Sequence, residues 1–161
     1  MVVFEALHEG VAAPARATQQ AAGYDLCAYL KGRAVKVNRG NVMSERAIGG
    51  DNALTLEPGD VALVPLGFRA RLPDGYEAQI RIRSSAALKK GLTLPNAPGT
   101  IDADYPDEWL VMVRNSGTVN ARIDHGERIA QVVLARYAVM EWRAGVVAPS
   151  TDRTGGLGST G

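Results

Sequence analysis

Along this chain the apolar positions come in short runs separated by turn-forming clusters. The runs at 2–7, 34–37, 61–68, 76–83, 109–113 and 129–139 are rich in Val, Ile, Leu and aromatic residues, which is strand composition. Between the runs stand Pro-Gly-Asp, Pro-Asp-Gly and Asn-Ser-Gly triplets, residues that reverse a chain tightly. Only Ser84–Lys90, SSAALKK, reads as helix, with a serine to cap its first turn and lysines near its end. Gly91 would close it. The pattern predicts an all-β sandwich or barrel with one short helix, and no internal repeat is visible.

Composition narrows the classes. At 161 residues the chain is long enough for one domain with a real core. Its 18 glycines and 8 prolines fit many tight turns and argue against a helical bundle. A net charge of +1 produces no global field that would draw the protein to nucleic acid or to a membrane. Cys27 stands alone, which excludes an intramolecular disulfide and suits a reducing compartment. With His8 and His125 as the only histidines, a zinc site is not expected. The N-terminal stretch MVVFEALHEG lacks a basic segment and a long apolar run, so neither a signal peptide nor a membrane span is expected, and the cytoplasm is the expected location.

Two regions depart from the strand-and-turn pattern. Residues 31–52 are polar, basic at first and glycine-containing; they read as a surface insertion, an extra hairpin between strands. The segment 148–161, APSTDRTGGLGSTG, is too poor in apolar residues to pack by itself. It is expected to be a mobile, glycine-rich arm following a β domain of residues 1–147. Such a tail is ordinarily only a loose terminus, but glycines let a backbone approach closely, and successive amides can wrap an anion.

Candidate chemistry concentrates at 94–115, LPNAPGTIDADYPDEWLVMVRN. Two turn clusters bracket a short tip, followed by acids and a tyrosine, and then by an apolar strand. Asp102 directly follows Ile101, so its carboxylate would be fixed at the end of an apolar segment. On its own an Asp in such a loop is ordinarily a turn residue.

Five separated segments occur together and in order: AAGYDLCA at 21–28, RSSAALKKGL at 83–92, NAPGTIDADY at 96–105, GERIAQVV at 126–133 and DRTGGLGSTG at 152–161. In these segments the chain resembles the trimeric dUTPases, over nearly its whole length. The resemblance implies a jelly-roll subunit and a homotrimer with three active sites at subunit boundaries. Each site would take segments from two subunits and a C-terminal arm from the third. The implied reaction is magnesium-assisted hydrolysis of dUTP to dUMP and pyrophosphate, the arm closing over substrate to exclude water.

The same resemblance distributes the roles. Asp102 would orient and deprotonate the water that attacks the α-phosphorus; an ordinary Asp, with a pKa of about 3.9, is ionised at neutral pH and can accept that proton. In-line displacement at phosphorus depends on geometry and charge neutralisation, so its work is mainly positional. Asp25 would hold magnesium-bound waters, the triphosphate supplying most of the metal's own ligands. Arg83, Ser84 and Ser85 would meet phosphate where a strand enters the helix, although a serine there is also a plain helix cap. Gln131 would lie near the α-phosphate, and Arg153 would clamp the γ-phosphate. Backbone groups of Asn96, Gly99, Thr100 and Ile101 would match the carbonyl–NH–carbonyl edge of uracil, so that cytosine would leave buried groups unpaired, at a cost in selectivity of about 10⁴. Tyr105 would pack on the deoxyribose where a 2′-hydroxyl would collide, and Gly156, Leu157, Gly158 and Ser159 would complete the arm.

The chain departs from the family pattern at 31–52, which is longer than usual, and at Pro106-Asp107, where a basic or polar residue and glycine are usual. It departs again in the tail, which is one residue shorter between Arg153 and Gly155 and carries Leu157 where phenylalanine is expected. No assigned residue lies in 31–52, so replacing it by a short turn is expected to leave hydrolysis intact. Two alternatives carry different functions. A dCTP deaminase, or a bifunctional deaminase and dUTPase, shares the fold but needs a catalytic glutamate where this chain aligns Met112, and Met cannot shuttle a proton. A regulatory binding module would keep the scaffold and use 31–52 to contact a protein partner.

Overall fold

The computed structural model describes residues 1–148 and 150–152. The assignments to Arg153, Gly156, Leu157, Gly158 and Ser159 fall outside these residues. Among the described residues the strands are β1 (Val3–Ala6), β2 (Tyr24–Cys27), β3 (Ala34–Arg39), β4 (Val42–Ala47), β5 (Ala53–Leu56), β6 (Val61–Pro65), β7 (Phe68–Arg71) and β8 (Tyr76–Ile82). After the helix α1 (Ser84–Lys90) come β9 (Leu92–Thr93), β10 (Gly99–Ile101), β11 (Leu110–Asn115), β12 (Ala121–Asp124) and β13 (Arg128–Arg136).

The strands make a jelly-roll-type sandwich. One layer is the sheet β10-β8-β13-β2 and another is β4-β3-β6-β11-β9, with the pairs β1-β7 and β12-β5 completing the walls. Alternation along the strands feeds one continuous core: Ala78 and Ile80 of β8 and Ala130 and Val132 of β13 meet Val35, Val37, Ala62, Val64, Val111 and Val113 of the five-stranded sheet. Leu26, Leu54, Leu56 and Ile123 are fully buried among them. No helix among the described residues is long and apolar enough to cross a membrane.

The helix occupies the predicted residues, and Gly91 closes it in the left-handed conformation at φ 63°. Its N-cap is Arg83, with no side-chain cap hydrogen bond, so the serine cap expected from the sequence is not formed. The expected strand 61–68 is two strands. β6 pairs with β3 and β11, whereas β7 pairs with β1 in a different sheet. The chain changes layer at Gly67, whose φ of 76° and close packing both require glycine. A Cβ there would lie 2.9 Å from Tyr29 Cγ and from Val11 Cγ2. The last strand ends at Arg136, short of the expected residue 139.

The insertion 31–52 contains the expected hairpin, β3 with β4, but it is not only a surface excursion. Val35 and Val37 of β3 are buried, and β3 pairs with β6 through Val37↔Ala62. The hairpin is also tied to the turn before β6. Asp60 is fully buried and receives Arg39 Nε at 2.7 Å, Arg39 Nη2 at 2.9 Å and the Glu57 backbone N–H at 3.0 Å, with Arg46 Nη2 at 3.4 Å. The Arg39 guanidinium, helped by that backbone N–H, holds the Asp60 carboxyl below the usual carboxylate range against the opposing effect of burial.

Candidate active site

The predicted site residues fall into two groups on the sheet β10-β8-β13-β2. The first lies where β8 runs into α1. Asp25 of β2 is opposite Gln131 of β13, and Gln131 is opposite Arg81 of β8, so the three share one register line across the sheet. Asp25 is held by two arginines: Arg83 Nε is 3.2 Å from Oδ1, and Arg128 Nη1 is 3.0 Å from Oδ2. Arg83 Nη1 also donates to the Arg128 carbonyl at 3.3 Å. Gly23 makes room for the Gln131 amide, because a Cβ at residue 23 would stand 2.2 Å from Gln131 Oε1. Ser84 and Ser85 follow Arg83 directly at the start of the helix. Cys27 sits beside this group; burial pushes its thiol up, with the Asp25 charge adding to the shift, so it stays a thiol and offers no nucleophile.

Arg128 belongs to the group although the sequence reading assigned it no role. The signal lay inside the GERIAQVV segment, but direction could not be read there. A register shift between Arg128 and Ala130 interrupts the pairing of β13 with β2. Ile129 and Ala130 are both fully buried, so Arg128 emerges on the Gln131 side instead of following Ala130 into the core.

The second group lies at the other end of β8. β10 pairs with β8 as Gly99↔Ile80, Thr100↔Gln79 and Ile101↔Ala78. Gly99 and Ile101 point inward and Thr100 outward. Asn96 packs over Gly99 so closely that a Cβ at residue 99 would lie 3.3 Å from Asn96 Nδ2. Directly after buried Ile101, Asp102 is exposed, and its carbonyl accepts the Tyr105 backbone N–H at 3.2 Å, closing a turn. The carboxylate faces a cleft of about 520 Å³ lined also by Asp74, Glu77, Asp104 and Tyr137. Tyr105 packs half-buried on the core edge and lines the neighbouring cleft with Arg69 and Arg71.

Within one chain the two groups do not meet. Asp102 comes level with Glu77 near the start of β8, whereas Arg83 follows its end, about 20 Å away at the usual rise per residue. Asp25 is a further two strands across, which puts it roughly 20 Å from Asp102.

The family model described as dUTPase matches residues 50–161. A deoxyuridine 5'-triphosphate nucleotidohydrolase of Desulfotalea psychrophila is 42% identical over 154 residues, covering 95% of this chain and 89% of that protein. Among solved structures, the Staphylococcus bacteriophage 80alpha dUTPase with dUPNHPP superposes with a TM-score of 0.77 at 21% identity, covering 100% of this chain and 98% of that one. A mutant dUTPase from phage phi11 of S. aureus, described for its coordination of a structural Mg(II) ion, gives a TM-score of 0.69 at 19% identity over 90% of this chain and 96% of that one.

Proposed function

The chain belongs to the dUTPase family, and from that premise we propose that it hydrolyses dUTP to dUMP and pyrophosphate at sites shared between copies of itself. The reading is carried by the distance between its two groups of site residues. A water aligned by Asp102 on the α-phosphorus, and a polyphosphate held beside Asp25 and Arg83, must lie within one substrate's length. A single chain keeps them roughly 20 Å apart. Two copies that set the β10 edge of one against the β8–α1 junction of the other would bring them together, as a closed symmetric trimer does three times.

In that arrangement Asp102 accepts the proton of the attacking water while the bond from the α-phosphorus to the bridging oxygen breaks, and pyrophosphate leaves. The carboxylate suits this work because Ile101 anchors its backbone in the core while the side chain stays exposed. Gln131, Ser84 and Ser85 hold the phosphates from the second copy, together with Arg83. The turn at Asn96, Gly99, Thr100 and Ile101 selects uracil through its backbone, and Tyr105 covers the deoxyribose. Arg153, Gly156, Leu157, Gly158 and Ser159 close the site as an arm from a third copy.

Magnesium fits this donor set only in a particular way. Among the described residues no three His, Cys, Asp or Glu side chains are grouped to hold a metal ion. Asp25 is a single carboxylate, which suits gripping waters around an ion whose inner ligands are phosphate oxygens. Bound there, the ion would neutralise polyphosphate charge. A deaminase is not supported, since Met112 lies on β11, paired with Leu63, and offers no proton-transfer group.

Pyrophosphate release measured with dUTP, dCTP, dTTP and UTP tests the reading. Rapid turnover of dUTP alone is expected, and Asp102→Asn should keep nucleotide binding while losing most of that turnover. Comparable turnover in the Asn variant would remove Asp102 from its assigned role.

A further inference from the structure

We propose that Arg128 is an additional polyphosphate-binding residue of this site, parked on Asp25 while the site is empty and transferred to the phosphates when substrate arrives. The inference rests on the dUTPase reading and adds to it a residue and a charge exchange.

The first observation is the backbone irregularity at the start of β13. Regular alternation would send Arg128 to the same face as Ala130, which is fully buried. The register shift between them instead buries two consecutive residues, Ile129 and Ala130, and turns Arg128 out beside Gln131. Bulges of this kind re-aim a side chain next to functional sites. Here the re-aimed side chain is a guanidinium, and it lands on the residue that also meets Arg83.

The second observation is the charge count around Asp25. One carboxylate faces two guanidiniums, each on its own oxygen. One positive charge is therefore left over where the phosphates are expected. Each carboxylate oxygen already accepts from one arginine, so an arginine that leaves gives Asp25 more acceptor capacity for waters around a cation. The two arginines differ in how readily they can do so. The Arg83 side chain is 25% exposed and also bonded to the Arg128 carbonyl, whereas the Arg128 side chain is 55% exposed and its Asp25 contact is its sole side-chain ion pair among the described residues. An exposed ion pair of this sort is weak and readily exchanged. A polyphosphate offers the same planar guanidinium more charge and more acceptor oxygens than one carboxylate. Arrival of substrate would thus free Asp25 and recruit Arg128 in a single exchange of partners.

Calorimetric titration of inorganic tripolyphosphate into the whole protein without divalent metal tests this, with dUMP titrated as control. Arg128→Gln should weaken tripolyphosphate binding about tenfold or more, as expected for losing a charge-assisted contact, and should leave dUMP binding within about twofold. Arg128→Lys should recover part of the loss. Asp25→Asn should tighten metal-free tripolyphosphate binding, because it removes the competing carboxylate. In steady-state hydrolysis of dUTP, Arg128→Gln should raise KM with kcat nearly unchanged. Unchanged tripolyphosphate affinity in both Arg128 variants overturns the proposal, as does weaker metal-free binding in Asp25→Asn. A wild-type protein that neither binds tripolyphosphate nor hydrolyses dUTP would fail at the underlying reading instead, so the two failures are distinguishable.

Discussion

At the scale of single residues, the site depends on what small side chains leave open. Gly23 does not have a positive φ; its importance is that the Gln131 amide occupies the space where its Cβ would be. In Gly23→Ala the added methyl should push the flexible end of Gln131 away, and its 3.2 Å approach to Gln131 Cβ should shift the strand only slightly. Melting temperature should barely change, while kcat/KM for dUTP should fall about tenfold, the loss expected when one oriented phosphate contact is removed. Steady-state kinetics beside a thermal melt would check it. Wild-type kinetics in a folded Gly23→Ala protein would mean that Gln131 does not touch substrate. Gly67 is the contrasting case, because its positive φ and its packing against Tyr29 and Val11 concern only the fold.

At the scale of elements, the hairpin β3–β4 has become part of the scaffold. The sequence suggested that 31–52 could be exchanged for a short turn. Val35 and Val37 in the core, and the pairing of β3 with β6, lead to the opposite expectation. Deleting 31–52 removes two buried valines and strands Asp60, so it should cost several kcal/mol and appear as a large drop in melting temperature. Trimming only the exposed tip around Gly40 and Asn41 should be tolerated. Asp60 gives this element a pH signature. Its folded pKa is depressed below the unfolded value, so the stability it contributes is complete above the ordinary carboxylate value of about 4 and is lost as pH falls through the lower folded value. Melting temperature recorded from about pH 7 to about pH 3 should therefore fall more steeply for wild type than for Asp60→Asn, whose already lower stability should be flatter over that range. Parallel curves would show that the Arg39–Asp60 contact does not stabilise the fold.

At the scale of the whole molecule, the separation of Asp102 from Asp25 and Arg83 makes a prediction that no single-chain site could satisfy. Asp102→Asn and Arg83→Ala proteins should each be nearly inactive. Unfolded together and refolded as mixed oligomers, they should regain activity, since a site that takes Asp102 from one copy and Arg83 from another has both. Random mixing of equal amounts makes about a quarter of the sites intact. Recovery of roughly that fraction of wild-type turnover is expected, and no recovery from properly mixed oligomers would place all the reacting groups within one chain.

How far the protein can be read without its structure follows from how local each feature is. Strand composition, the Pro-Gly-Asp, Pro-Asp-Gly and Asn-Ser-Gly turns, the short helix with its closing Gly91, and the five motif segments each occupy a few neighbouring residues, so the sequence alone determined an all-β subunit and the dUTPase family. The short strands β2, β5, β9, β10 and β12, of four residues or fewer, were missed because so few positions cannot display alternation. Other features depend on partners far along the chain, and only the tertiary structure decided them. They include the change of layer at Gly67, the burial of Asp60 beneath Arg39, and the bulge that turns Arg128 toward Asp25. The distance between the two halves of the site belongs with them. Register, bulges and sheet order are set by which strands pair, and pairing is a competition among distant segments that no local pattern encodes.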